Sequence, residues 1–269
     1  MSNRINEIFN QLKSVNRGGF IPFIVAGDPN LKTTKNLILE IAKNGASVIE
    51  LGVPFSDPVA DGVTIQASAE RALRNPFSVN DILGVVKEVR ESGCHTPIIL
   101  FSYFNPILQF GLEKFAGEAV KAGVDGVLIT DLVPEEAEEF RWILAKQELA
   151  LIMLAAPTSS DERLQKICKK ASGFIYAVSR AGVTGARSSL SSDAENLVKR
   201  LRKFTDLPIA VGFGISNAEQ VAETWKYADA AVVGSAIVAE IMRIAPDADN
   251  VPTDFVEKIS EFSKKLLPK

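Results

Sequence analysis

A short apolar run followed by a segment with apolar residues at helical spacing recurs along the whole chain, and few folds can absorb such a pattern. The apolar runs fall at residues 20–26, 47–52, 97–103, 126–130, 150–155, 174–179, 208–212 and 230–233. Amphipathic segments lie between them at 33–44, 80–91, 112–122, 134–146, 162–171, 193–204 and 218–227, with a last helix after Pro252. Strand then helix, eight times over, predicts parallel strands joined by right-handed crossovers. Eight such units within 269 residues suit a (β/α)8 TIM barrel of roughly 250 residues better than an open sheet. Ile5, Ile8, Phe9 and Leu12 share one face of a segment that also carries Arg4, Asn6 and Glu7, so an extra N-terminal helix precedes the barrel. No linker or shift of composition divides the chain, and residues 1–269 read as one α/β domain.

Composition narrows the function. Lys and Arg total 30 against 33 Asp and Glu, a net charge of −3 without basic blocks, which argues against a nucleic-acid footprint or a membrane-binding face. The two cysteines, Cys94 and Cys168, form no C-x-x-C, so neither a zinc knuckle nor a disulfide framework is expected, and a reduced, cytoplasmic setting is. The longest uncharged stretch, 92–112, is broken by Pro97, Asn105, Pro106 and Gln109, as a strand and turn would be and a membrane span would not.

In this fold the loops after the strands carry the chemistry. The single histidine, His95, precedes strand three and so lies on the opposite face. Histidine triads and histidine metal sites drop out, no metal is expected, and acid-base work falls to other groups. Alternation along Val48, Ile49, Glu50 and Leu51 sends Val48 and Glu50 into the barrel and Ile49 and Leu51 toward the helices. A carboxylate at the end of a strand, pointing inward, is paired or functional, because an unpaired buried charge is costly. Asp57 and Asp61 follow in the long loop after strand two. Beside Pro58 and Gly62 they suit a turn; facing Glu50 across a cleft, one of them completes a carboxylate pair for acid-base chemistry. Asp131, at the end of strand four, is placed as a positioning group.

Three glycine-rich turns follow strands six, seven and eight: Arg180-Ala181-Gly182-Val183-Thr184-Gly185, Gly212-Phe213-Gly214 and Gly234-Ser235-Ala236. Exposed amides there, next to a helix N-terminus, suit a phosphate. Loop six, running on through Ser188, Ser189, Ser191 and Ser192, is long and rich in small residues, as a lid would be.

The segment Ile49-Glu50-Leu51-Gly52-Val53-Pro54-Phe55-Ser56-Asp57-Pro58-Val59-Ala60-Asp61-Gly62, with Thr64-Ile65-Gln66 after it, closely resembles the signature of the tryptophan synthase alpha subunit family. Phe23, Ala26-Gly27-Asp28-Pro29 and the three glycine-rich turns resemble the same family in the same order, across essentially the whole chain. The resemblance implies a lyase that cleaves indole-3-glycerol phosphate reversibly into indole and glyceraldehyde 3-phosphate. It implies Glu50 and Asp61 as the catalytic pair and Tyr176 in the substrate pocket. Phe23, Leu100, Leu128, Leu154 and Phe213 would form the indole slot. Gly185, Gly214, Gly234 and Ser235 would hold the phosphate, and Arg180 and Thr184 would belong to the lid. It also implies an αββα complex in which indole passes to a beta subunit carrying pyridoxal phosphate, with Asp57-Pro58 and the Asn105-Pro106 region facing that partner and no cofactor in this chain. One departure is Val63, where many relatives carry proline, which leaves loop two freer. A stand-alone lyase releasing free indole and a catalytically silent regulatory subunit are the alternatives; the presence of both Glu50 and Asp61 speaks against the second.

Overall fold

The computed structural model describes residues 4–179, 192–212 and 214–268. Its centre is a closed barrel of eight parallel strands in sequence order: β1 (Gly19–Val25), β2 (Ile49–Gly52), β3 (Ile98–Ser102), β4 (Gly126–Ile129), β5 (Ala150–Ala155), β6 (Ile175–Val178), β7 (Ile209–Gly212) and β8 (Ala230–Val233). Pairing of Phe20 with Ala231 and Ile21 with Val232 joins the last strand to the first. The expected (β/α)8 barrel is therefore the observed fold, and each of the eight apolar runs supplies one strand.

The helices are α1 (Arg4–Ser14), α2 (Leu31–Lys43), α3 (Val63–Ala72), α4 (Val79–Glu91), α5 (Phe104–Phe110), α6 (Leu112–Ala122), α7 (Glu138–Lys146), α8 (Asp161–Lys170), α9 (Ser192–Leu201), α10 (Ala218–Thr224), α11 (Ser235–Ile244) and α12 (Phe255–Lys265). Their starts follow from side chains that satisfy the first free amides. Asn30 accepts from Thr33 N at 2.8 Å, Asn217 accepts from Gln220 N at 2.9 Å, and Ser78 with Asp81 forms a capping box ahead of α4. Helix α7 starts at Glu138, later than the pattern from 134 suggests, because turns occupy the intervening residues.

Alternation along each strand divides the apolar residues into two cores. Ile24, Ile49, Leu51, Ile98, Leu100, Val127 and Leu151 pack outward against the helices. Phe23, Val25, Val48, Ile99, Phe101, Leu128, Ile152, Tyr176 and Val232 fill the interior. Ile5 and Phe9 of α1 join the interior set from below, with the Phe9 ring tilted against that of Phe174 at a centroid distance of 5.8 Å. On that lower face Asp125, 3% exposed, pairs with Arg4 and Arg90, each at 2.7 Å, and accepts from Ile98 N at 2.8 Å. His95 is exposed in the same region.

Candidate active site

Glu50 sits in β2, register-paired with Phe23 of β1 and Ile99 of β3, both interior residues. It is 1% exposed, and its Oε1 has no hydrogen-bond partner among the described residues. Burial alone pushes its carboxyl well above the usual carboxylate range, since an ion there would lose its hydration with nothing in return. Glu50 thus holds its proton more tightly than an exposed carboxyl does.

Asp61 occupies the loop between β2 and α3. Its Oδ2 accepts from the Tyr103 hydroxyl at 3.0 Å, while the same hydroxyl accepts from Ala60 N at 2.9 Å. Burial raises the Asp61 carboxyl to about 6, against the lowering effect of the Tyr103 hydrogen bond. Burial shifts both carboxyls upward, and only for Asp61 does a side-chain hydrogen bond, from Tyr103, act against it. Two acids in such different surroundings can divide the labour of a proton-transfer reaction. Tyr176 lies close to both: its hydroxyl titrates far above the usual range, first through burial and then through the charges of Glu50 and Asp61.

Beside Asp61 an open cleft is lined by Phe23, Val25, Phe55, Ile65, Phe101 and Tyr103 among others. Phe23 and Phe101 meet edge to face with centroids 5.2 Å apart, a wall suited to a flat aromatic ring. Missing side chains make the room. A Cβ on Gly52 would fall 2.7 Å from Phe23 Cζ, and one on Gly212 would fall 2.0 Å from the Tyr176 hydroxyl. Glycine at these two strand ends lets the aromatic rings lie across the barrel mouth.

Gly234 forms the N-cap of α11, with no side-chain cap, and Ser235 is exposed at the first turn. Open amides at such an end attract an anion. A Cβ on Gly234 would lie 3.4 Å from the Phe23 side chain, so the anion end and the aromatic wall adjoin. Gly214 is exposed with a φ of +79°. Arg180, Thr184, Gly185 and Phe213 lie outside the described residues.

Leu128 and Leu154 both belong to the interior side. Leu100 does not: it pairs with Leu51 and packs in the outer core, fully buried against the helices. Its place in the expected slot belongs to Phe101, one residue on, which lines the cleft. The correction follows from register, since Glu50 pairs with Ile99 and inward positions on β3 must then be 99 and 101. Asp131 is exposed and accepts from Phe104 N at 2.7 Å, so what it positions is the start of α5. Tyr103 escaped notice as well; its signal was a hydroxyl-bearing aromatic just past the end of β3, on the loop face.

The match to known proteins is extensive. The family model described as tryptophan synthase alpha chain covers residues 9–266. The tryptophan synthase alpha chain of Caulobacter vibrioides (strain NA1000 / CB15N) is 47% identical over 263 residues, 98% of this chain and 96% of its own. That of Geotalea daltonii is 50% identical over 237 residues, 88% of this chain and 89% of its own. Among solved structures, tryptophan synthase subunit alpha from Legionella pneumophila str. Paris superposes with a TM-score of 0.88 at 35% identity, covering 98% of this chain and 97% of that one. By sequence over almost its full length and by its closed barrel, the chain belongs to the tryptophan synthase alpha chain family.

Proposed function

We propose that Glu50 and Asp61 perform the lyase reaction of this family, the reversible retro-aldol cleavage of indole-3-glycerol phosphate to indole and glyceraldehyde 3-phosphate. Breaking the carbon-carbon bond needs an electron sink, which the substrate can supply through its own ring. Protonated Glu50 delivers its proton to indole C3 and makes an indoleninium. The resulting carboxylate takes the proton from the adjacent hydroxyl. The C–O bond becomes the aldehyde carbonyl, the C3 bond breaks, and its electron pair restores the indole. Asp61, ionised near neutrality, stabilises the positive charge developing at the ring N–H. Tyr176 packs beside both acids, while Phe23, Leu128 and Leu154 shape the interior side of the slot. The phosphate binds the amides at Gly234 and Ser235, with Gly214 and Gly185 completing the cradle, Phe213 extending the slot and Arg180 and Thr184 serving the lid.

The observation that carries this reading is the buried Glu50 carboxyl with an unpartnered Oε1, a poor structural choice and a suitable proton donor. Glu50→Gln is expected to keep the affinity for glycerol 3-phosphate while cleavage falls by at least about 10²-fold. Indole release from purified protein measures it, and unchanged turnover would refute the assignment.

The family name implies a beta partner. Our reading is an αββα assembly that this chain joins through Asp57-Pro58 and the Asn105-Pro106 region, with pyridoxal phosphate held by the beta subunit and none by this chain. No helix among the described residues is long and apolar enough to cross a membrane. We read residues 1–269 as a single barrel domain working in the cytoplasm.

A further inference from the structure

Helix α3 follows Asp61 directly and is weakly held by the usual forces. It has 10 residues, its N-cap Gly62 offers no side-chain bond, and the only apolar residues it fully buries are Ala69 and Ala72. A helix this short is marginal alone, and two methyl groups with the half-buried Ile65 provide little apolar area. Its fixed points are polar. Arg71, 7% exposed, donates from Nε to Asp28 Oδ1 at 2.6 Å, and its Nη2 lies 2.5 Å from the same oxygen. Nη1 of Arg71 donates to the carbonyl of Ala245, and the Ser68 hydroxyl donates to Asp28 Oδ2. Asp28, 1% exposed, belongs to the loop after β1. Ala245 closes α11, whose opposite end presents Gly234 and Ser235. Earlier in α3, Gln66 Nε2 donates to the Asp61 carbonyl at 2.8 Å.

One guanidinium thus ties the helix that follows Asp61 to the helix that begins at the phosphate amides, and both to the loop after β1. We propose that Arg71, seated on Asp28, is a positioning residue for cleavage: it sets the span between Asp61 and the anion end of α11, so that a substrate anchored by its phosphate presents its ring N–H to the Asp61 carboxylate. The inference rests on the roles proposed above for Asp61 and Gly234. Lysine cannot substitute, because a single ammonium cannot reproduce a planar fork that reaches a carboxylate and a carbonyl together.

Arg71→Lys and the milder Ser68→Ala test it through kcat and KM for indole-3-glycerol phosphate, affinity for glycerol 3-phosphate as the phosphate probe, and circular dichroism for folding. A small displacement of a reacting group is costly in rate. Arg71→Lys is expected to lower kcat by about tenfold or more while affinity for the probe stays within about threefold, a split that a purely structural role would not produce. Ser68→Ala is expected to move kcat in the same direction by a smaller factor, and to shift the acidic limb of its pH profile away from about 6. Wild-type kcat in folded Arg71→Lys, or equal losses of kcat and probe affinity, would overturn the proposal. Should Arg71→Lys fail to fold, unchanged kcat and pH profile in Ser68→Ala would overturn it alone. Asp61→Asn in the otherwise unaltered chain separates the two readings, since full turnover there removes the role of Asp61 whatever Arg71 does.

Discussion

The residues we assign to the chemistry are badly placed for stability, and Asp61 shows it. In the folded chain Asp61 binds its proton more tightly than the ordinary value of 3.8 allows, up to about 6. A carboxyl raised on folding favours the folded state while both forms are protonated, and the advantage is lost as pH rises from about 4 through about 6. At neutral pH Asp61 therefore costs stability. Asp61→Asn is expected to gain on the order of 1–3 kcal/mol at pH 7 and nothing at pH 3, as urea titrations at the two pH values would show. Cleavage by the wild type should lose activity below about pH 6, where Asp61 takes up its proton. Gly212 is a second case. With the Tyr176 hydroxyl 2.0 Å from where a Cβ would stand, Gly212→Ala should displace that ring and weaken substrate cleavage by about tenfold or more. Steady-state kinetics with indole-3-glycerol phosphate would check this; wild-type values would show that the ring is free to shift.

At the scale of single elements, what could be read in the sequence depended on how clearly a segment repeated. All eight strands were legible because buried parallel strands are apolar runs, and Glu50 stood out as a charge within one. Leu100 was misplaced for want of register: a run such as Ile98-Ile99-Leu100-Phe101 is apolar at every position and does not reveal which side faces inward. Pairing with β2 decides that. Leu100→Ala is accordingly expected to destabilise the chain by about 2–5 kcal/mol while KM stays within about twofold, whereas Phe101→Ala should raise KM; thermal melts and kinetics on the same preparations separate them. Helix α3 was hidden for a different reason. Its buried face is Ser68, Ala69, Arg71 and Ala72, which carries no hydrophobic period, so no helix is legible there. Helices held by polar contacts leave no apolar stripe for a sequence to display.

Across the whole molecule the barrel separates duties by face. Above the strands lie Glu50, Asp61 and the Gly234 turn; below them lie the Asp125 network with Arg4 and Arg90 and the apolar residues of α1. Faults in the lower face should affect folding and spare catalysis. Phe9→Ala, which removes a ring packed against Phe174, is expected to cost about 3–5 kcal/mol with kcat unchanged at temperatures where the protein remains folded, a contrast that melting curves and indole assays can resolve. The N-terminal helix has a further effect. Because Ile5 and Phe9 fill the barrel's underside, with exposures of 0% and 6%, indole set free at the site we propose around Glu50 would find the way downward blocked among the described residues. On that reading it departs on the side by which its parent entered, and a protein that captures it before it reaches water docks over that upper rim.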